Sequence, residues 1–422
     1  MSRFAVVLLL VAGCTSPAPS ESTTISTTAL DSLQVAALPA FTRQHIVDDI
    51  YHYQLDVRVG STPNAIVRVH RVVRVANGLP RPSSHAVMLL HGDFANFVTN
   101  FAPTLGTPAS SAPGLAPYLA ARNLDVWGVD RRWTLPGTDG DISDLGGMSV
   151  AQELGDIETA LTLARATRAI TDKDGGPITL AGFSHGGELA YAYAAGNGRN
   201  IDALAILDVY YDLAPADADE RAFACANASA EQAALAAGTV DSDNSFFVAA
   251  GQLDRSAPND PSPIFPPYSN QGALFTFVGT TYQFAPYTPL YHLAAPILDS
   301  DGNVTALRES TEDAVSAWFA GAPPHQSEHE AADLDAIWCG TTPRAPLANI
   351  RVPLIYIGAA GAFGAHGLYS TTRVSSTDVT TLVVHRFGAA RVAEDFGHGD
   401  LLYATDAPAL AWRPLASWLA AH

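Results

Sequence analysis

The sequence predicts an α/β fold in which a mostly parallel sheet is covered by helices on both faces. Residues 86–90 and 124–129 are short, continuous apolar runs, which are typical of strands buried on both faces. Residues 53–59 and 66–75 alternate apolar and polar side chains, as a half-buried antiparallel pair does. Segments with helical periodicity lie between the later runs. Buried strands that alternate with helices form parallel sheets, which gives the fold class.

The same patterns predict every core element in order along the chain. Strands are predicted at residues 53–59, 66–75, 86–90, 124–129, 178–181, 203–207, 352–357 and 381–384, and helices at 149–167, 187–196 and 408–421.

One long interval interrupts this rhythm after the sixth strand. Residues 213–345 are rich in Pro, Gly and polar turns. Because a compact domain rarely contains so long a structureless loop, we interpret the interval as a cap with structure of its own. The core is then made of residues 39–212 and 346–422.

The N-terminus has the pattern of an export signal. A short cationic start is followed by an apolar run too short for a bilayer, which needs about 20 residues. The run ends in Val11-Ala12-Gly13-Cys14, which resembles the lipobox of bacterial lipoproteins. The resemblance implies that residues 1–14 are a signal and that Cys14 becomes the lipidated N-terminus. A plain signal peptide stays open as the alternative. Residues 15–38, rich in Ser and Thr, predict a flexible tether.

Export and charge restrict the partners of the protein. A lipidated Cys14 would attach the chain to a membrane, and we expect the outer membrane or the cell surface. The net charge of −19 argues against nucleic acid, whose binders need clustered Lys and Arg. Cys225 and Cys339 are the remaining cysteines, and an even pair in an exported chain favours a disulfide. Two free buried thiols would give the same sequence.

A nucleophile motif follows the strand at 178–181. Gly182-Phe183-Ser184-His185-Gly186 is a G-x-S-x-G sequence between a buried strand and a helix. This context is that of a nucleophile turn, in which a strained Ser exposes its Oγ. Gly182 and Gly186 are small because the turn is tight. Ser184 is therefore the predicted nucleophile, and the helix behind it favours developing negative charge.

These residues resemble the α/β-hydrolase superfamily. His91-Gly92-Asp93 follows a buried strand where α/β-hydrolases carry an HG-x segment. The resemblance implies an oxyanion hole formed by the backbone N–H groups of Asp93 and His185. The stretch 114–130 looks like the acid-lipase branch. A carboxylate at position 93 would oppose the oxyanion unless it is neutralised, and Arg131 and Arg132 are candidates for that role.

The predicted general base lies after the last strand. Asp395-Phe396-Gly397-His398-Gly399-Asp400 stands there, just before the final helix. It is similar to the stretch that carries the catalytic His of lipases. His398 is accordingly the expected base.

The triad acid departs from the acid-lipase pattern, which places an Asp after the seventh strand. Here that strand is followed by Gly, Ala and Phe, and no carboxylate occurs before Asp378. Asp208, at the end of the sixth strand, is the favoured acid, because an ionised Asp at the end of so apolar a strand needs a partner. Asp212 and a missing acid are the alternatives.

The resemblance covers about residues 85–210 and 350–422 and implies a serine hydrolase. The acid-lipase character of its N-terminal part favours a small carboxylic ester as substrate, cleaved through an acyl-enzyme. A serine peptidase is the alternative within this class. A lipid-anchored binding protein on an inactive hydrolase scaffold is the alternative outside it. This chemistry uses no cofactor and no metal ion, and we expect neither.

Overall fold

The computed structural model describes residues 42–138, 140–172, 174–280 and 291–422. The strands in these ranges are β1 Thr42–Val47, β2 Ile50–Arg58, β3 Ile66–Ala76, β4 Leu79–Pro80, β5 Ala86–Leu90, β6 Asp125–Asp130, β7 Ile178–Phe183, β8 Ile201–Leu207, β9 Pro296–Leu298, β10 Val304–Leu307, β11 Leu354–Ala359 and β12 Val379–Val384. Ten of these strands form one mixed sheet, with the order β1-β2-β3-β6-β5-β7-β8-β11-β12 and with β4 paired to β3, while β9 and β10 pair separately.

The sheet confirms the predicted fold class. Strands β1 to β3 are antiparallel to one another, and β3 is antiparallel to β6. From β6 to β12 all neighbouring strands are parallel. Every residue of β5, β6 and β7 is buried, so both faces of the central sheet are covered. The predicted sixth strand is β8. Strand β1 was not predicted, because its side chains are mostly exposed and carry no apolar alternation.

Helices pack on the sheet and fill the long interval between β8 and β11. They are α1 Phe97–Phe101, α2 Leu115–Ala120, α3 Val150–Thr171, α4 His185–Asn197, α5 Ala218–Ala236, α6 Ser245–Ser256, α7 Asn270–Gly279, α8 Glu312–Ala320, α9 Glu328–Cys339, α10 Gly364–Thr371, α11 Asp400–Tyr403 and α12 Arg413–Leu419. The predicted final helix is split, since a wider π-helical turn occupies Pro408–Trp412 before α12.

The interval interpreted as a cap contains α5 to α9 and the β9–β10 pair. Helices α5 and α9 pack against each other. Cys225 on α5 and Cys339 at the end of α9 are joined by a disulfide, across a sequence separation of 114 residues. The bond therefore ties the first helix of the interval to its last one.

The N-terminal predictions lie outside the described residues. The signal at 1–14, lipidation of Cys14 and the tether at 15–38 stay predictions. Within the described ranges, no helix is both long and apolar enough to cross a bilayer.

Candidate active site

Ser184 occupies a strained turn between β7 and α4. Its backbone angles are φ 55° and ψ −134°, a region that residues with a side chain rarely adopt. The Ser184 N–H donates to Leu207 O at 3.0 Å, which fixes the turn against the end of β8. A Cβ on Gly182 or Gly186 would lie within 3.0 Å of backbone atoms. The two glycines are thus required by the close approach of the chain at this turn.

His398 is held in a buried position by Asp208. The His398 Nδ1 lies 2.7 Å from Asp208 Oδ2, and the Asp208 side chain is fully buried. The other carboxylate oxygen, Oδ1, accepts the Ala359 N–H at 2.8 Å. Both oxygens are therefore partnered, as a buried carboxylate requires. The backbone N–H of His398 donates to His292 O at 2.9 Å, so the loop itself is fixed.

Sheet register brings Asp208 to this position. Phe183 pairs with Leu207 across β7 and β8, so the residues that follow them, Ser184 and Asp208, leave the sheet side by side. Asp208 adopts a positive φ of 50°, which Asp tolerates better than most residues. The alternative acid, Asp212, lies elsewhere: its carboxylate pairs with Arg344 at 2.5 Å.

Asp400 supports the loop that carries His398. Its buried carboxylate accepts the Gly397 N–H at 2.8 Å, the Ala295 N–H at 2.7 Å and the Ser310 hydroxyl at 2.5 Å. Burial raises the Asp400 pKa to about 7, against these hydrogen bonds, which lower it. Asp400 therefore acts on His398 only through the backbone of the loop.

Asp93 and His185 lie together at the predicted oxyanion hole. Within the described chain, their backbone N–H groups donate to no protein acceptor. Free donors at the start of α4 and after β5 are what an oxyanion needs. The N–H of the next residue, Phe94, is occupied, since it donates to Gln326 Oε1 at 3.2 Å.

The Asp93 carboxylate is neutralised by His185, which sequence reasoning did not predict. His185 Nδ1 lies 2.5 Å from Asp93 Oδ2. Burial opposes the charged form of both groups, but their mutual attraction prevails: it raises the His185 pKa and lowers the Asp93 pKa. Asp93 Oδ1 also accepts from Gln326 Nε2 at 2.6 Å. The two side chains therefore form an ion pair at the predicted oxyanion hole.

The expectation for Arg131 and Arg132 needs a correction. Arg132 pairs with Asp156 at 2.5 Å and does not contact Asp93. Arg131 pairs with Glu330 and donates to Gly92 O at 2.6 Å, so it holds the loop before Asp93. The Arg131 charge also lowers the Asp93 pKa, but it does so less than His185 does.

A cavity of about 200 Å³ joins these groups. Ser184, His398, Asp93 and His185 all line it. The remaining wall comes from aromatic rings and from the interval between β8 and β11, and its lining residues are Phe94, Phe183, Phe223, Asn227, Glu231, Tyr291, Trp318, Gln326, Ala331, Asp335, Trp338 and Phe363. The predicted nucleophile, base and oxyanion residues thus share one solvent space.

Sequence reasoning missed the wall formed by α5 and α9. Phe223, Asn227 and Glu231 share one face of α5 because they are four positions apart, but they have no property in common that marks this face in the sequence. The cysteine pair is the signal that the sequence does contain. Cys225 and Cys339 each lie within two residues of a lining residue, so their pairing brings the two helices together.

One group of side chains in the described part of the chain has the donor types for a metal ion. Asp217, Glu220 and His366 offer ligand atoms within 4.8 Å of one another. None of the three lines the cavity, and we assign them no role in its chemistry.

Comparison with solved structures places the chain among proteins of one architecture. A candidate lipase from Sulfolobus solfataricus superposes with a TM-score of 0.62 at 14% identity, over 90% of this chain and 99% of that one. A thermophilic esterase from Thermogutta terrifontis (12% identity, 87% and 98% covered) and an epoxide hydrolase from Vigna radiata (13%, 90% and 100%) both have TM-scores of 0.45. No family model and no curated protein sequence matches the chain. The first likeness shows a shared fold.

Proposed function

We propose that this chain, which has the α/β-hydrolase fold, is a serine hydrolase that cleaves a carboxylic ester through an acyl-enzyme. One observation carries the proposal: Ser184 stands on a strained turn in the same cavity as His398, whose Nδ1 contacts the buried Asp208 carboxylate at 2.7 Å. Nucleophile, base and orienting acid in this relation are the elements of acyl transfer.

Acylation begins with the Ser184 hydroxyl. Its Oγ attacks the ester carbonyl carbon while the hydroxyl proton passes to His398 Nε2. The Asp208 carboxylate accepts a hydrogen bond from the Nδ1–H of His398, which keeps Nε2 free to act as a base and stabilises the imidazolium that forms. The imidazolium then gives its proton to the departing alcohol, and an acyl-Ser184 ester remains.

The backbone N–H groups of Asp93 and His185 would stabilise the oxyanion in both halves of the reaction. His185⁺ offsets the Asp93 carboxylate, so that this carboxylate does not oppose the negative charge on the substrate oxygen. In the second half, His398 takes a proton from water, and the hydroxide attacks the acyl-Ser184 ester. The bond between the acyl carbon and Ser184 Oγ then breaks, the His398 imidazolium returns its proton to Oγ, and the carboxylic acid leaves.

The choice of an ester substrate is supported by the acid-lipase character of the sequence near residues 85–135. The test is hydrolysis of p-nitrophenyl esters by wild-type protein and by Ser184→Ala. We expect turnover by the wild type and a loss of about 10⁶-fold in kcat in the variant. Equal turnover by the two proteins would refute the proposal.

A further inference from the structure

The cavity wall opposite the nucleophile turn carries two carboxyl groups that the reaction does not use. Glu231 on α5 and Asp335 on α9 both line the cavity that Ser184 lines. Asp335 hydrogen-bonds with Asn227 and with Glu231. The two helices that carry these groups are fixed to each other by the Cys225–Cys339 bond. The carboxyl pair is therefore a feature of the substrate space.

Nearby carboxylates such as Asp93 and Glu330 have a cationic partner within 4.0 Å. Among the described residues, neither Glu231 nor Asp335 has one, and the His185 charge acts on Asp335 only from a greater distance. No amide, guanidinium or alcohol group of the described residues donates to the buried Glu231 Oε2 atom. The two carboxyl groups hydrogen-bond to each other, so one of them must keep its proton, and a cation in the cavity would take the place of that proton.

Glu188 is a further buried carboxyl group near this wall. It is fully buried on α4, and in the described chain neither of its carboxylate oxygens has a hydrogen-bond partner. Burial raises the Glu188 pKa well above its ordinary range, so Glu188 keeps its proton and adds no negative charge. It is not among the residues that line the cavity, whose acidic members are Asp93, Glu231 and Asp335.

The pKa values of the pair agree with the absence of a close cationic partner. Burial, followed by the Asp335 and Glu328 charges, raises the Glu231 pKa to about 8. Burial raises the Asp335 pKa to about 6. Without a cation, the pair keeps protons that carboxyl groups ordinarily lose near pH 4.

We propose that the substrate carries a positively charged ammonium group, which Glu231 and Asp335 bind. This inference rests on the proposed ester hydrolysis and narrows its substrate class. The aromatic part of the wall suits the same ligand, since the buried Trp338 presents an indole beside Asp335 on α9. Aromatic faces attract alkylammonium groups, and the attraction strengthens where water is excluded.

The test uses two p-nitrophenyl esters of equal shape that differ in one charge. The acyl group is 4-(trimethylammonio)butanoyl in one and 5,5-dimethylhexanoyl in the other, so that a quaternary nitrogen replaces a quaternary carbon. We expect the wild type to prefer the cationic ester by about tenfold or more in kcat/KM, the size of one cation–aromatic or charge contact. In Glu231→Gln/Asp335→Asn the preference should fall to about one.

A matched control distinguishes the effect of removing Glu231 and Asp335 from the effect of a less negative protein. Asp219→Asn/Asp301→Asn removes the same number of acidic groups at exposed positions away from the cavity. This control should keep the wild-type preference. Binding of butyltrimethylammonium, measured by calorimetry, gives a readout without hydrolysis. It should be about tenfold weaker in the Glu231→Gln/Asp335→Asn variant than in wild type and Ser184→Ala.

The outcomes distinguish the two proposals. If both esters are hydrolysed at equal kcat/KM and butyltrimethylammonium does not bind, the ammonium site is refuted and ester hydrolysis stands. If neither ester is hydrolysed but butyltrimethylammonium binds through Glu231 and Asp335, the ammonium site stands and ester hydrolysis is refuted. A preference that survives in the Glu231→Gln/Asp335→Asn variant also refutes the site.

Discussion

Two Asp–His contacts each contribute their histidine to the same cavity, and they differ in burial and in the elements that carry them. Asp208 and His398 are 2.7 Å apart with side chains 0% and 4% exposed. Asp93 and His185 are 2.5 Å apart with side chains 21% and 17% exposed. The first contact joins the end of β8 to the loop before α11. The second joins the loop after β5 to the first residue of α4.

The comparison shows that the function of an Asp–His contact depends on where the fold places it and not on the two residue types. Asp208 has its second oxygen fixed by the Ala359 N–H, so its carboxylate can only orient His398. Asp93 and His185 are the two residues whose backbone N–H groups form the proposed oxyanion hole. Their side-chain contact therefore compensates charge and holds the two donors together. In the proposed mechanism, the same chemical pair orients a base in one place and neutralises a carboxylate in the other.

The largest expected loss of activity comes from replacing the triad acid, Asp208, by Asn. Asp208→Asn should lower kcat for ester hydrolysis by up to about 10⁴-fold, because an amide stabilises the wrong His398 tautomer. Asp212→Asn is the matched control and should change kcat far less, since Asp212 contacts Arg344. Steady-state kinetics with a thermal melt of each variant checks this. Near-normal turnover by Asp208→Asn would remove Asp208 from the proposed triad.

A smaller loss is expected when His185 is removed. His185→Ala leaves the Asp93 carboxylate unpaired beside the developing oxyanion, and kcat should fall by about 10²-fold, the size of a lost oxyanion donor. The double variant His185→Ala/Asp93→Asn should recover most of that loss, because the opposing charge is gone. Comparing kcat of the two variants shows whether His185 acts by compensating the Asp93 charge. If the double variant does not recover, the side-chain contact would act by holding the two backbone N–H donors in place.

The single change Asp93→Asn should have a still smaller effect. The His185 pKa is raised by the Asp93 carboxylate, so His185 loses its proton more readily when that charge is removed. The net charge over the oxyanion hole then stays close to zero. We expect kcat within about tenfold of wild type, far from the loss in Asp208→Asn. An equal loss in both Asp→Asn variants would abolish the distinction between the two contacts.

Removal of the disulfide tests whether helix α9 supports the Asp93–His185 contact. Cys225→Ser/Cys339→Ser should lower the free energy of unfolding by about 2–4 kcal/mol, measured in urea. Trp338, next to Cys339, lies with its ring centroid 5.6 Å from that of His185, so loosening α9 should disturb the Asp93–His185 contact first. We therefore expect a small loss in kcat, within about tenfold and well below the loss in His185→Ala. Unchanged stability would show that α5 and α9 are held together by packing alone.

The core could be predicted from the sequence because its signals are local. Buried strands are continuous apolar runs, and the nucleophile turn needs glycines at fixed positions, so Ser184 and β7 follow from neighbouring residues. His398 follows from chain order. Asp208 could be favoured over Asp212 because an acid at the end of an apolar strand needs a partner, although only the sheet register places it beside His398.

The rest of the site depends on contacts between distant segments. The His185–Asp93 contact spans residues 92 positions apart on two different elements, and Gln326 reaches Asp93 from the loop before α9. Local periodicity does not encode such contacts. The face of α5 that lines the cavity carries Phe223, Asn227 and Glu231, and this mixture of residue types does not mark a functional face in the sequence.

The central claim, that Ser184 is an activated nucleophile, is tested most directly by labelling with a fluorophosphonate and mapping the modified peptide by mass spectrometry. The reagent requires a serine whose proton is taken by a nearby base. We predict one label, on Ser184, that is lost in Ser184→Ala and strongly slowed in His398→Ala. An unlabelled wild type, or a label on another serine, would contradict the account.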